Sequence, residues 1–290
     1  MGLGEDRFPI GTSSDQRRAD LHLHTIHSDG AHSPYEVVHK AKRAGLSLIS
    51  VADHDHVAGI SEAMLVGGEL GIEVVPGLEL SVAVDDRDIH VLAYFVDTHN
   101  EALLEYLEFM RVERMKRAER IVKKLHSINV PLSMDKVLEK AGQAAVGRPH
   151  IATALVEEGL AETYHDVFLK YIGVGRPAYV AKYLCSPEEA LALIEEAGGL
   201  SFLAHPGNSI PEDVLLRFIK AGVDGIEIVH PSHSAEVVAH YQAITSEYYL
   251  LESGGSDFHG GPKNDDDALG RFTVPISAVE TMRQRLFRER

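Results

Sequence analysis

ADLHLHT (residues 19–25) and LSLISVADHDH (46–56) share one pattern: a short apolar run that ends abruptly in histidine and aspartate. Short apolar runs bounded by polar clusters read as buried strands. Between them lies SPYEVVHKAKRAG (33–45). There Ser33 is placed to cap a helix, Pro34 sits at its first position and Glu36 closes a capping box. Val37, Ala41 and Ala44 share a face, and Gly45 ends it. Strand, helix, strand is the unit of a parallel sheet.

The unit recurs along the chain. IEVVPGLELSVAV (72–84) and IHVLAYFV (89–96) read as the third and fourth strands, with DDRD (85–88) as a turn. LSFLAHP (200–206), VDGIEIVHP (223–231) and YLLESGGSDFH (249–259) complete seven candidates. A second Ser-Pro-x-Glu helix start, at Ser186, Pro187 and Glu189, precedes the fifth. This predicts an α/β chain folded as a closed or nearly closed barrel, with an open doubly wound sheet as the competing arrangement. Residues 100–127 read as a long charged helix, followed by short helical pieces to about 185. That helix is either a lid or nucleic-acid arm, or a solvated brace for its neighbours. The expected organisation is a flexible leader over 1–18, a barrel from 19–99 and 186–290, and a helical insertion over 100–185.

The polar residues at the strand ends carry the chemistry. They are His22 and His24 with Asp29; Asp53, His54, Asp55 and His56; Glu79; His90; His205; Glu227 and His230; and Asp257 and His259. In a βα barrel the carboxyl ends of the strands ring one mouth, so residues scattered in sequence converge in space. His22-x-His24 points two imidazoles to the same face of a strand. Buried carboxylates repel one another and are costly unless paired or bound to cations. So many at one mouth point to metal ions.

Composition sets outer limits. The 290 residues carry a formal charge of -16, from 44 Asp+Glu against 28 Lys+Arg. An acidic surface repels long nucleic acids and anionic membranes, yet leaves room for a local site where metals supply positive charge. The 17 histidines include seven in the first 56 residues. The single cysteine, Cys185, excludes a disulfide framework and a thiolate cluster, and favours a reducing cytoplasm. The N-terminus has no apolar core of a secretory signal, and no run is long enough to span a bilayer.

The motifs DLHLHT…SDG, VADHD, PGLELS, IHVLAY, GRPH, LAHP, IEIVHPSH and GSDFH resemble the PHP (polymerase and histidinol phosphatase) family, over residues 19–275. They are most similar to its branch of nucleotide phosphatases and short-RNA exonucleases. The resemblance implies a distorted (β/α)7 barrel holding two or three divalent ions. It implies His22, His24, Glu79 and Asp257 around a first ion, Glu79, His90 and His150 around a second, and Asp29, His54 and His259 around a third. His150 is singled out by the resemblance alone. Imidazole and carboxylate ligands suit Mn, Fe, Zn or Mg alike.

Other roles stay open at this point. His205 either bonds phosphate, acts as a general acid, or sits behind the ligands. Asp55 either orients a ligand histidine or accepts a proton. Arg148 and Arg176 are suited to bidentate phosphate contact, and His233 is expected to line the substrate pocket. The implied activity is hydrolysis of a small nucleotide's phosphomonoester, foremost the 3′-phosphate of a nucleoside 3′,5′-bisphosphate. Alternatives are a 5′→3′ exoribonuclease acting on short oligonucleotides, a histidinol-phosphate-type phosphatase, and a non-catalytic metal-binding regulator. Expected partners are a small phosphorylated nucleotide or very short RNA, with no long nucleic acid and no membrane.

Overall fold

The apolar runs become strands and the capped segments become helices. The computed structural model describes residues 17–288 apart from 85–86, 143, 184, 209 and 264. The expected leader therefore lies almost wholly outside the described residues. In chain order the elements are β1 (Arg18–Leu23), α1 (Pro34–Arg43), β2 (Leu48–Val51), α2 (Gly59–Leu70), β3 (Glu73–Val84) and β4 (Arg87–Tyr94). Four helices follow: α3 (Glu101–Ser127), α4 (Met134–Ala141), α5 (Arg148–Glu157) and α6 (Tyr164–Val167), the last running into a π-turn at Phe168–Ile172. The alternation then resumes with α7 (Pro187–Glu196), β5 (Leu200–Leu203), α8 (Glu212–Lys220), β6 (Gly225–Val229), α9 (Ala235–Tyr248), β7 (Leu251–Gly254), β8 (Val274–Pro275) and α10 (Ile276–Arg288). Both capping boxes form: the Ser33 and Ser186 hydroxyls accept from the main-chain N–H of Glu36 and Glu189, whose carboxylates accept in return.

The strands make one sheet in the order β7-β6-β5-β4-β3-β2-β1-β8. Beyond β7 the chain pairs with the end of β1, through a Leu23–Phe258 bridge and a 2.9 Å bond from the His24 N–H to the Phe258 carbonyl. The sheet is therefore a nearly closed barrel. One strand departs from the expected parallel pattern: β4 runs antiparallel to both β3 and β5. Its connection to β3 is too short for a crossover helix, and a tight link permits only an antiparallel return. The strand also begins at Arg87, within the segment read as a turn. β8 and α10 have no counterpart among the expected elements; β8 adds an antiparallel edge beside β1.

Helix α3 joins two cores. Leu103 and Leu107 near its start belong to the cluster built on β3, β4 and α7. Ile121, Val122 and Leu125 pack with Val137, Ile151, Leu155, Val167 and Ile172, a second cluster made by α3–α6. The far part of α3 thus carries the other helices to the mouth of the barrel, where Arg114 and Arg148 face His54 and His90, while its own first turns stay rooted in the wall. Among the described residues no helix is long and apolar enough to cross a membrane.

Candidate metal centre

The centre is built on the strand ends. β1 delivers His22 and His24 to one face, and both rings are fully buried. Glu79, on β3, is also fully buried and stands at the middle of the cluster. Its Oε2 lies 3.3 Å from His22 Nε2, 3.3 Å from His24 Nε2 and 3.0 Å from His54 Nδ1. Its Oε1 lies 3.0 Å from His90 Nδ1 and 2.9 Å from His205 Nε2. Asp257 Oδ1 closes the first set, 3.3 Å from His22 Nε2 and 3.1 Å from His24 Nε2. On the far side of His24, Asp29 Oδ1 is 3.1 Å from His259 Nε2 and 3.9 Å from both His24 Nδ1 and His54 Nε2.

Three donor groups are close enough to hold an ion: His22, His24, Glu79 and Asp257; His24, Asp29, His54 and His259; and His54, Glu79 and His90. Donors about 2.1 Å from one ion stand roughly 3.0–3.4 Å apart, which matches the spacing around Glu79. The chemistry agrees. His24 Nε2, His54 Nδ1, His259 Nε2 and Asp29 Oδ1 are buried without a hydrogen-bond partner. Such orphans are costly in an empty protein and are satisfied by a cation. The residues present thus fit a multi-ion site.

Electrostatics and backbone geometry point the same way. Burial would push the Glu79 carboxyl up, but His54, His90 and His22 outweigh it and hold it well below the usual range. Burial holds His54 neutral, the form that ligates. Asp55, His205 and Asp257 all have positive φ, at 48°, 27° and 51°. Non-glycine residues adopt this conformation at a cost, and such costs gather at functional sites.

Supporting carboxylates complete the cluster. Glu227 is fully buried beneath it; its Oε1 accepts from His22 Nδ1 at 2.9 Å and its Oε2 from the His205 N–H at 2.7 Å. That fixes the His22 tautomer so that Nε2 faces Glu79 and Asp257. Asp53 accepts from the Thr25 N–H and hydroxyl and from the Ser28 hydroxyl, so it braces the β1 loop. Asp55 accepts from the Ser81 N–H and hydroxyl and from Arg114 of α3. Burial pushes the Asp55 carboxyl up, but Arg114, Lys182 and the Ser81 N–H together outweigh it and keep Asp55 ionised.

Not every expected residue converges. His205 joins His90 on Glu79 Oε1, in the position expected for His150. His150 caps its own helix instead, its Nδ1 accepting the Gly147 N–H at 3.0 Å, and belongs to none of the three donor groups. It still lines the cavity beside Asp29. His233 spends both ring nitrogens internally, Nδ1 donating to the Ile228 carbonyl and Nε2 accepting the Gly207 N–H, and lines neither cavity at the mouth. Arg176 lies in an exposed turn away from both.

Above the cluster is an inner cavity of about 150 Å³. His54, His90 and Asp29 form one wall; Arg114, Arg148 and Lys182, from α3, α5 and the segment before α7, form the other. Beside it, sharing Ser28, Asp29, Pro149 and His150 in its lining, is a groove of about 920 Å³ lined also by Ile26, Tyr164, Lys140 and Lys263. Arg114 and Lys182 line this cavity, yet sequence reasoning does not single them out. Arg114 lies on a helix whose charges all resemble solvated pairs, and nothing local announces its partner 59 residues away.

Residues 20–196 match the PHP domain family. The chain is 32% identical over 246 residues to a 3′,5′-nucleoside bisphosphate phosphatase of Chromobacterium violaceum, covering 83% of this chain and 86% of that protein. The chain belongs to the PHP domain family. The 5′-3′ exoribonuclease Rnm of Escherichia coli is 31% identical over 247 residues, with 83% and 84% covered. A solved metal-dependent phosphoesterase of Bifidobacterium adolescentis superposes with a TM-score of 0.83 at 31% identity, covering 92% of this chain and 96% of that one. As a PHP protein this chain is a metal-dependent phosphoesterase. The regulator reading is thereby set aside.

Proposed function

We propose that this PHP enzyme removes the 3′-phosphate of a nucleoside 3′,5′-bisphosphate. One observation carries the reading: a cavity sized for a phosphate group lies between metal-ligand residues and a wall of Arg114, Arg148 and Lys182. Ions held by the three donor groups would supply an activated water and neutralise the phosphoryl oxygens. The chain's own residues do the rest. Glu79 presents one oxygen to each side of the cluster and so can join two ions. Arg148 has its guanidinium only 3.8 Å from Asp88 and can bond a phosphoryl oxygen in the cavity. Asp55 and Arg114 hold the His54 loop in its strained conformation. Glu227 keeps His22 in the ligating tautomer. The outer groove is large enough for a nucleoside, within the roughly 300–1,000 Å³ of small-ligand sites.

The size and openness of that groove favour one second reading, a 5′→3′ exonuclease on RNA of a few nucleotides. A net charge of -16 supports short substrates over long ones. Two or three divalent ions, and a cytoplasmic setting in keeping with the one buried cysteine, complete the proposal.

The test is phosphate release from a nucleoside 3′,5′-bisphosphate, compared with AMP, histidinol phosphate and short RNA, in Mn, Fe, Zn, Co and Mg. Turnover of the bisphosphate above the others supports the proposal; none with any metal refutes it. Mononucleotides released from RNA faster than phosphate from the bisphosphate would establish the second reading.

A further inference from the structure

The cavity wall opposite the metal ligands contains one cation unlike the rest. We propose that Lys182 is the proton donor to the leaving oxygen as the phosphoester bond breaks. The inference rests on the phosphoesterase activity and not on which ester is cleaved.

Position is the first argument. Lys182 lines the inner cavity with its side chain only 10% exposed. Its Nζ lies 3.2 Å from Asp88 Oδ1, and the same oxygen is 3.7 Å from His90 Nε2. The ammonium therefore stands one carboxylate oxygen away from a residue of the metal cluster. In-line attack by a water held on the cluster side would set the ester oxygen opposite, toward this wall.

Chemistry is the second argument. The other cations described on the wall are Arg114, Arg117 and Arg148. A guanidinium does not surrender its proton at workable pH. The His54 and His90 rings face Glu79, and His150 accepts the Gly147 N–H at Nδ1 and is also bonded to the Ser28 main chain. Among these described cations, Lys182 alone can both donate and recover a proton. Burial, reinforced by Arg114 and opposed by Asp88 and Asp55, pulls its ammonium down to about 8. A lysine desolvated beside another cation is a recurrent way to tune that group for catalysis.

The step balances. The attacking water sheds one proton to solvent and its oxygen bonds to phosphorus. The phosphorus–oxygen bond of the ester breaks, and its electron pair goes to the leaving oxygen. That oxygen takes a proton from Lys182 and departs as the alcohol. The neutral amine regains a proton from solvent, and the net change is ester plus water to alcohol plus phosphate.

The test compares leaving groups within one enzyme sample. Lys182→Arg keeps the charge but removes the transferable proton. On phenyl phosphate, whose leaving group needs protonation, kcat should fall about 10²–10⁴-fold. On p-nitrophenyl phosphate, whose phenolate leaves unprotonated, the fall should be about threefold or less, because general-acid help is small for such a group. Because both rates come from the same sample, their ratio is independent of the folded or metal-loaded fraction. Equal losses on the two substrates, a change confined to KM, or full turnover of phenyl phosphate would overturn the proposal. If the arginine variant is insoluble, Lys182→Met takes its place; its lost charge lowers both rates, a larger fall on phenyl phosphate than on p-nitrophenyl phosphate is still expected, and equal falls would overturn the proposal. Aryl phosphates keep this outcome separate from the nucleotide assignment, which stands or falls on the bisphosphate assay.

Discussion

The mouth of the barrel and the wall of helices facing it solve opposite problems. The barrel side gathers Glu79, Asp257 and Asp29 among buried histidines, an arrangement suited to cations. The helical side sets Arg114, Arg148 and Lys182 against them, an arrangement suited to an anion. The first is assembled from strand ends whose ligand-type residues are visible locally, as in His22-x-His24 and Asp257-x-His259. The second is assembled from α3, α5 and the segment before α7, whose cations have no such local pattern. A phosphoryl group is the ligand that satisfies both sides at once.

If the two walls are separable, variants on each should fail differently. Glu79→Gln should have the largest effect, since one residue faces two donor groups. We expect bound metal and kcat to fall together by more than the ~10–100-fold typical of losing an outer partner, read by elemental analysis and turnover. Next comes Arg148→Met on the opposite wall. It should raise KM about 10–100-fold, the worth of a charge-assisted hydrogen bond, with metal content unchanged. Loss of metal in that variant would break the division.

His150→Ala probes the boundary, because His150 lines the cavity yet lies outside the three donor groups. It should keep full metal stoichiometry, with at most a modest rise in KM. A lost ion would return His150 to the ligand set beside Glu79 and His90.

The smallest effect is on stability and concerns Lys182. Its ammonium is shifted down to about 8 from a usual value near 10.5, so the unfolded chain binds more protons between those limits. Stability should therefore rise with pH through that window. Lys182→Met removes the cost of burying the charge. It should stabilise the protein by at most about 3 kcal/mol below pH 8, a gain that fades toward pH 10.5. Thermal melts across that range check the sign, and a variant less stable at pH 7 would contradict it.

The two walls also differ in how far the sequence discloses them. Seven strands follow from apolar runs that end in ligand-type residues, and both capping boxes from Ser-Pro-x-Glu. The donors His22, His24, Asp29, His54, Glu79, His90, Asp257 and His259 stand among those strand-end residues, and the family resemblance is what separates them from His56, His205 and His230. The reversed direction of β4 is hidden because apolar patterning reports burial, not strand direction. Only the shortness of its link to β3 encodes that. Glu227 is visible at a strand end but has no role until the His22 ring is placed above it. Arg114 and Lys182 have no local signature, since a buried ion pair such as Arg114–Asp55 is made by two surfaces meeting. His150 shows the converse: a motif draws attention to the residue, while its ring serves the N-terminus of its own helix.

The most direct test of the two-wall account is a crystal structure of the metal-reconstituted protein with inorganic phosphate. The account predicts anomalous peaks within the three donor groups and a phosphate between them and Arg148 and Lys182. Metal peaks outside those groups, or a phosphate bound away from both walls, would contradict it.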